Sequence, residues 1–300
     1  MLTISFKMAY RPQFCINIEC RYSKNPGGKF HKKGYFKIKR VNQVVRRYQC
    51  CECKRTLSSR SFKPDFRHKK MDLNPLLADL LVKGTTLRDC ARHLGLTYRN
   101  TYNKFLWLIA QAKCKRGQLK YAAKELQFDE METIHHTKCK PLSICLVVNE
   151  EYQVLQAQVA EMPAKGKLAE FSLKRYGKRN DEREKVMDET FQDVHGKLME
   201  SPMVIKSDAK ASYRKHVEKY FPEVQYEVHS RVQKERLRER LHEKKNKRQF
   251  DPIFALNQRC AKLRSQIKRL TRRSWCTTKK VENLQGHLDI FIVMQFGNCF

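Results

Sequence analysis

The chain has 300 residues, enough for two or three domains, and its 41% apolar content is sufficient for packed cores and excludes a disordered basic tail. Its 63 Lys and Arg residues outnumber 31 Asp and Glu residues, and the resulting formal net charge of +32 favours a polyphosphate partner such as nucleic acid. No apolar run has the length of a membrane-spanning helix, and the N-terminal residues lack the apolar core of a signal peptide, so we expect neither feature.

Two close pairs of cysteines in residues 1–60 are separated by a segment that alternates like β-strands. The pairs are Cys15 with Cys20 and Cys50 with Cys53, and the spacer opens with the turn residues "NPGG". Four thiolates in two short loops are typical of a tetrahedral structural zinc site, so we predict a zinc ribbon that binds Zn²⁺. Unpaired thiols are the alternative. The remaining cysteines are scattered, which is typical of buried thiols in a reducing compartment.

Residues 61–113 are predicted to form a helix-turn-helix DNA-binding segment. In "TTLRDCARHLGLTYRN", Ala91 precedes Gly95 by four residues, which combines a small residue for close helix approach with a glycine for the tight turn. The second helix is predicted to begin near Thr97, and its first turns are rich in donors for base edges and phosphates. A plain helical hairpin is the alternative. The predicted DNA contacts are Arg99, Asn100, Asn103 and Lys104.

Residues 114–125 are predicted to be a linker, and residues 126–300 an α/β domain. Strands are predicted in "LQFDEMET", "LSICLVV" and "YQVLQAQVA", followed by helix, strand, helix, strand and helix. This order is typical of an RNase H-like domain, in which the first and fourth strands are neighbours. The predicted fold class is therefore α/β multidomain, with a zinc ribbon, a helix-turn-helix segment and an RNase H-like catalytic domain.

An aspartate lies on each of these two neighbouring strands. Asp129 lies in "FDEME", and Asp208 ends the short strand of "IKSDAKASY". The alternatives are a solvated strand end for Asp129 and a helix N-cap for Asp208, although a capping role does not exclude catalysis. Strand alternation places Glu130 and Glu132 on the face opposite Asp129, where we expect them to be solvated or paired with basic residues.

The order of these motifs resembles a bacterial insertion-sequence transposase of the DDE superfamily. The resemblance covers most of the chain and is carried by "YQCCECKRTLSS", "FDEME", "IKSDAKASY" and "NQRCAKLRSQIKRLTRRSWCTTKKVENLQGHL". It implies a transposase that binds insertion-sequence ends and cleaves and transfers DNA strands, using two Mg²⁺ ions held by Asp129, Asp208 and a third ligand. It also implies double-stranded DNA partners (terminal inverted repeats and target DNA), a homo-oligomer on DNA, and a cytoplasmic, nucleoid-associated bacterial protein.

Two residues compete as the third ligand. The register of "KLRSQIKRL" places the family's glutamate position at Asn257, which offers a neutral oxygen and is the preferred assignment. The alternative is Glu282 in "TTKKVENLQGHL", although pairing with Lys279 or capping of a helix turn would equally explain that residue. A basic helical insertion is predicted near 231–250, between the second and third ligands.

Basic runs surround the predicted site. Residues 231–248 have nine Lys and Arg against three Glu, and residues 262–280 have eight and no acid. Such runs are usually solvated helical faces, but beside a metal site, with Trp275 and Tyr213 nearby in sequence, they favour a DNA-lined groove. The motif "HHTKC" at 135–139 is interpreted as ordinary surface residues, with a second zinc site as the minority alternative. The alternative functions are a catalytically inactive DNA-binding regulator and another RNase H-like nuclease.

Overall fold

A computed structural model describes residues 10–38, 43–63, 66, 68–229, 251–271, 275–297 and 300. The chain divides into two compact units, Met1–Met71 and Asp72–Phe300. In the described ranges it is a mixed α/β protein with two sheets and eight α-helices. The insertion predicted near 231–250 lies outside the described residues. Of the helices within those ranges, none combines the length and the apolar content that crossing a bilayer requires.

The first unit contains a three-stranded antiparallel sheet with the order β1-β2-β3. Its core is small, because Tyr48 and Leu57 are buried mainly against cysteine side chains. A core of this size contributes little stability by itself, so a unit of this kind usually needs a metal or disulfides. The strands are β1 (Phe30–Ile38), β2 (Gln43–Cys50) and β3 (Thr56–Ser58).

The second unit begins with the helices α1 (Asn74–Val82), α2 (Leu87–His93) and α3 (Tyr98–Gln118). The turn between α2 and α3 has the predicted geometry, since Gly95 adopts a φ of 58° and the Leu96 amide donates to the Ala91 carbonyl at 2.9 Å. The Thr97 hydroxyl accepts a hydrogen bond from the Asn100 amide at 3.3 Å, so α3 begins where the sequence predicted.

Helix α3 is longer than predicted, because residues 114–118, assigned to a linker, continue it. Lys, Arg and Gln are good helix formers, and Arg116 near its end forms an ion pair with Asp289. Only residues 119–124 connect α3 to the next strand. Tyr121 in this connection is buried, and its hydroxyl donates to the Leu155 carbonyl at 3.0 Å. The connection is therefore packed into the second unit.

A five-stranded sheet with the order β6-β5-β4-β7-β8 forms the centre of the second unit. Strands β4, β5 and β6 pair antiparallel, whereas β7 runs parallel to β4 and β8 runs parallel to β7. The first and fourth strands of this unit are thus neighbours, as predicted. The strands are β4 (Glu125–His135), β5 (Thr137–Asn149), β6 (Val154–Glu161), β7 (Val204–Asp208) and β8 (Gln225–His229).

Helices cover both faces of this sheet. Helices α5 and α6 pack on the face that carries Phe128, and α7 and α8 pack on the face that carries Met131. Helix α8 also buries Ile290 and Val293 against α1, α2 and α3. The helix-turn-helix segment, predicted to be separate, therefore shares a core with the second unit. The remaining helices are α4 (Ala169–Tyr176), α5 (Arg183–Lys197), α6 (Tyr213–Tyr220), α7 (Phe254–Gln266) and α8 (Val281–Gln295).

Candidate functional site

The four predicted cysteine ligands converge in the first unit. The Sγ atoms of Cys15 and Cys53 are 3.4 Å apart, those of Cys20 and Cys50 are 3.8 Å apart, and all four lie within 4.8 Å of one another. A tetrahedral zinc ion with Zn–S bonds of about 2.3 Å places its sulfurs about 3.8 Å apart. The cluster therefore has the geometry to hold a metal ion such as zinc.

The pKa values of Cys15 and Cys53 in this cluster are shifted in opposite directions. Burial raises the pKa of Cys15 to about 12. Burial acts in the same direction on Cys53, but the hydrogen bond from the Arg55 amide and those from the neighbouring thiols outweigh it and lower the pKa of Cys53 to about 7. Because metal ions bind thiolates, a cation in this cluster has to displace protons from the less acidic thiols.

The aspartates occupy adjacent positions on neighbouring strands. Phe128 of β4 is paired with Ser207 of β7, so the next residues along the two parallel strands are Asp129 and Asp208. Parallel neighbours of this kind are about 4.8 Å apart and point to the same face of the sheet. The cross-strand partner of Asp129 is Leu146, which belongs to the core under α7 and α8. Both aspartates therefore lie on that face.

Tyr213 lies between the aspartates and the opposite face of the sheet. Its hydroxyl donates to Asp129 Oδ1 at 3.1 Å and is 3.4 Å from Glu130 Oε2. Burial, followed by the negative charges of Asp129, Glu130 and Asp208, raises the pKa of Tyr213. The hydroxyl consequently remains protonated, and a donor, at neutral pH.

Glu130 and Glu132 of β4 are each paired with a lysine, in agreement with the expectation that they are solvated or paired with basic residues. Glu130 has a side chain only 9% exposed, accepts a hydrogen bond from the Ser143 hydroxyl at 3.1 Å, and forms an ion pair with Lys210. Glu132 forms an exposed ion pair with Lys165 at 3.0 Å. Lys210 is not among the site residues predicted from the sequence. The available signal was its position two residues after Asp208, where the chain turns from β7 towards α6.

Helix α7 carries Asn257 over the part of the sheet that holds Asp129. The Leu256 amide donates to Gln127 Oε1 at 2.9 Å, and Gln127 precedes Asp129 by two residues on the same face. The side-chain nitrogen of Asn257 donates to Asp251 Oδ2 at 2.7 Å, so its amide oxygen is the atom that would ligate a cation.

Glu282, the alternative third ligand, lies elsewhere. It is exposed in the first turn of α8, beside Gln158 and Val159 of β6. Strand β6 is an edge strand that β5 and β4 separate from β7. The structure therefore places the helix that carries Asn257 against β4, and Glu282 beside the edge strand β6.

Three of the four predicted DNA contacts on α3 are exposed, namely Arg99, Asn100 and Asn103. Lys104 is only 4% exposed, and its amine donates to Asn74 Oδ1 at 2.8 Å. The physical reason is helical periodicity, which places position 104 on the buried stripe of α3. A buried amine held by an amide cannot reach a phosphate, so we remove Lys104 from the expected DNA contacts.

The remaining motifs lie outside these sites. His135 has its Nε2 atom 3.1 Å from the Lys279 carbonyl, and Cys139 is buried. Over the described ranges, the four-cysteine cluster is the only group of three or more His, Cys, Asp or Glu side chains whose ligand atoms converge. The second zinc site, already the minority interpretation of "HHTKC", does not assemble there.

Comparisons with known proteins add little. No family model matches the chain, and no curated protein matches it. Among solved structures, a cryo-EM structure of the simian T-cell lymphotropic virus intasome in complex with PP2A regulatory subunit B56 gamma contains a similar chain. The similarity covers 71% of this chain and 72% of that chain, at 12% identity and a TM-score of 0.21. A likeness this weak carries no argument about function, which has to be inferred from the site itself.

Proposed function

We propose that the chain is a DDE-type transposase that binds insertion-sequence ends and catalyses Mg²⁺-dependent cleavage and transfer of DNA strands. The observation that carries this proposal is the parallel pairing of β4 with β7, which sets Asp129 and Asp208 side by side. The strand order β6-β5-β4-β7-β8, with helices on both faces, supports the finer assignment of this unit to the RNase H-like fold.

The residues at this position fit a hard divalent cation. Two carboxylates and the Asn257 amide offer oxygen donors, and Mg²⁺ typically takes one or two carboxylates and completes its octahedron with water and substrate phosphates. With Asn257 in place of an acid, the donor set carries one negative charge fewer. Bound ions of this type activate the attacking oxygen and stabilise the leaving oxygen in displacement at phosphorus.

The surrounding side chains position and neutralise this donor set. Tyr213 holds Oδ1 of Asp129, which orients the carboxylate and directs its second oxygen away from the phenol. Lys210 neutralises Glu130, so this nearby carboxylate does not compete as a ligand. Both Tyr213 and Lys210 lie within six residues of Asp208 in the sequence.

Double-stranded DNA is the partner that this proposal requires. The net charge of +32 would attract the DNA backbone. Helix α3 would recognise the DNA sequence through its exposed residues Arg99, Asn100 and Asn103. The zinc ribbon adds a second DNA-binding module in this scheme. Joining two element ends requires at least two copies of the chain on DNA.

The test is strand cleavage of labelled element-end DNA in the presence of Mg²⁺. We expect Asp129→Ala and Asp208→Ala each to lower the cleavage rate by at least about a hundredfold, because each removes charge stabilisation worth several kcal/mol. Glu132→Ala is the matched control, since it removes a carboxylate from the same strand on the opposite face, and its rate should stay within about threefold of the parent. Full cleavage by either aspartate variant would falsify the two-carboxylate site.

The second candidate function is a DNA-binding regulator without catalytic activity. Asn257 favours it, because a neutral residue stands where the resemblance places the third acid. The same experiment separates the two functions, since a regulator binds element ends and leaves them uncut at every Mg²⁺ concentration.

A further inference from the structure

The hairpin of β4 and β5 extends well beyond the aspartates. Six residues separate Asp129 from His135, and at about 3.3 Å per residue His135 lies about 20 Å further along the strand. Two segments pack on this end of the hairpin. In one, the Ser172 hydroxyl of α4 donates to the Cys139 carbonyl at 2.6 Å. In the other, which leads into α8, the Lys279 carbonyl contacts His135.

Helix α4 and its flanks carry positive charge that the described carboxylates do not neutralise. Ion pairs at this end of the hairpin use other cations, because Lys165 pairs with Glu132 and Arg179 pairs with Glu161. Four further cations are exposed and form no ion pair with any carboxylate in the described part of the chain. They are Lys167, Lys174, Arg175 and Lys178.

Exposed aromatic rings lie in the same two segments that pack on the end of the hairpin. Trp275, in the segment that leads into α8, is fully exposed, and Phe171 of α4 is 50% exposed. The Arg175 guanidinium lies 5.9 Å from the centre of the Phe171 ring and 5.7 Å from that of Tyr176. Aromatic rings flanked by cations are typical of surfaces that stack unpaired bases and hold phosphates.

We propose that these residues form a tip surface, comprising Lys167, Phe171, Lys174, Arg175, Lys178 and Trp275, which binds DNA through phosphate contacts and base stacking. The end of the hairpin on which these segments pack lies about 20 Å from Asp129 along the strand, which corresponds to about six base pairs of duplex. This placement relative to the cut rests on the proposed function. Charge selects the occupant, because DNA is attracted to the unneutralised cations, whereas a second copy of this chain has the same positive excess.

The first experiment measures how salt affects binding of the full chain to a duplex of about 40 base pairs with an unpaired 3′ overhang. In one variant, four residues are changed to Gln: Lys167, Lys174, Arg175 and Lys178. The slope of log affinity against log salt concentration should be less negative for this variant than for the parent, by about 2 to 4. The matched control changes four exposed lysines that are already paired with carboxylates, and its slope should change by less than about 1. These control residues are Lys83, Lys185, Lys215 and Lys219.

The second experiment tests the rings. Phe171→Ala and Trp275→Ala should each weaken binding to the overhang by about 5- to 100-fold without changing the salt slope, because stacking releases no counterions. The chain has two tryptophans, so Trp107→Phe leaves Trp275 as the only one. In that variant, DNA should quench the Trp275 fluorescence and protect it from soluble quenchers.

Two results would overturn the proposal. One is a four-cation variant with the same salt slope as its control, and the other is Trp275 fluorescence that saturating DNA leaves unchanged. The four-cation variant could instead have a lower mass in solution without DNA and an unchanged salt slope. That result would identify the tip surface as a protein interface. None of these measurements requires cleavage. If the protein binds DNA at the tip but cuts no element ends, only the transposase proposal fails.

Discussion

Tyr213 connects the two faces of the sheet at the candidate site. Its ring packs on Phe128 with the ring centres 4.9 Å apart, and its hydroxyl contacts Asp129 and Glu130. The phenol thus ties the core under α5 and α6 to a carboxylate on the other face. In metal sites, replacing a residue that hydrogen-bonds a ligand typically lowers metal affinity by about 10- to 100-fold.

Replacing Tyr213 with Phe keeps the ring and removes only the hydroxyl. Under the proposed function we expect affinity for Mn²⁺, measured by calorimetry on the protein without DNA, to fall by about 10- to 100-fold because Asp129 loses its orienting donor. Tyr121→Phe is the matched control, since it also deletes one buried phenol hydrogen bond, to the Leu155 carbonyl. Both variants should lose about 1 kcal/mol of stability. Equal Mn²⁺ affinity in the two variants would leave Tyr213 a purely structural role.

Helix α8 connects the helix-turn-helix core to the sheet. One side buries Leu288 and Ile292 on the sheet, and another buries Ile290 against α3. The His287 ring lies 4.6 Å from that of Phe105, centre to centre. Burial, with a smaller effect of the Arg269 charge, lowers the pKa of His287 to about 3, so the ring is neutral when the protein is folded.

The crossing of α3 and α8 depends on Gly286. A Cβ atom at this position would overlap the Ile109 side chain, so Gly286→Ala should destabilise the second unit by about 1 to 3 kcal/mol despite the better helix propensity of alanine. Gly117→Ala in α3 is the control, because a Cβ there meets nothing within 4 Å, and we expect a gain of up to about 1 kcal/mol. Urea unfolding followed by fluorescence measures both changes, and equal stability of the two variants would contradict close packing at Gly286.

At the scale of the whole molecule, the chain forms two compact units with different sources of stability. The second unit has large apolar cores on both faces of its sheet, whereas the first has a few apolar side chains around four thiols. Because ordering a chain segment costs conformational entropy, a core this small needs the energy of metal binding.

Removing metal should therefore unfold the first unit alone. With a zinc chelator, we expect the amides of β1, β2 and β3 to exchange hydrogen at nearly the unfolded rate, because metal binding supplies about 10 kcal/mol in such sites. The unfolding midpoint of the second unit should not change. Cys53→Ser should reproduce the effect and Cys51→Ser should not, since Cys51 lies outside the cluster. Hydrogen-exchange mass spectrometry measures both, and protected β1–β3 amides after chelation would rule out a structural metal.

Local features of this protein followed from the sequence alone. The cysteine spacing, the Gly95 turn, the start of α3 and the order of strands could be predicted, because each depends on residues close together in the chain. The neighbouring positions of Asp129 and Asp208 were predicted through that order. Glu130 was also expected to pair with a basic residue if it was not solvated, and it forms an ion pair with Lys210.

Tertiary contacts alone decided the remainder. The burial of Lys104 against Asn74, the continuation of α3 to its ion pair with Asp289, and the separation of Glu282 from the aspartates all involve partners distant in sequence. The tip surface has the same origin, since α4 and the segment that carries Trp275 each pack on the end of the folded hairpin. The burial and charge pairing of a side chain depend on all the residues packed around it in the folded protein. The spacing of residues along the chain does not reveal which residues those are.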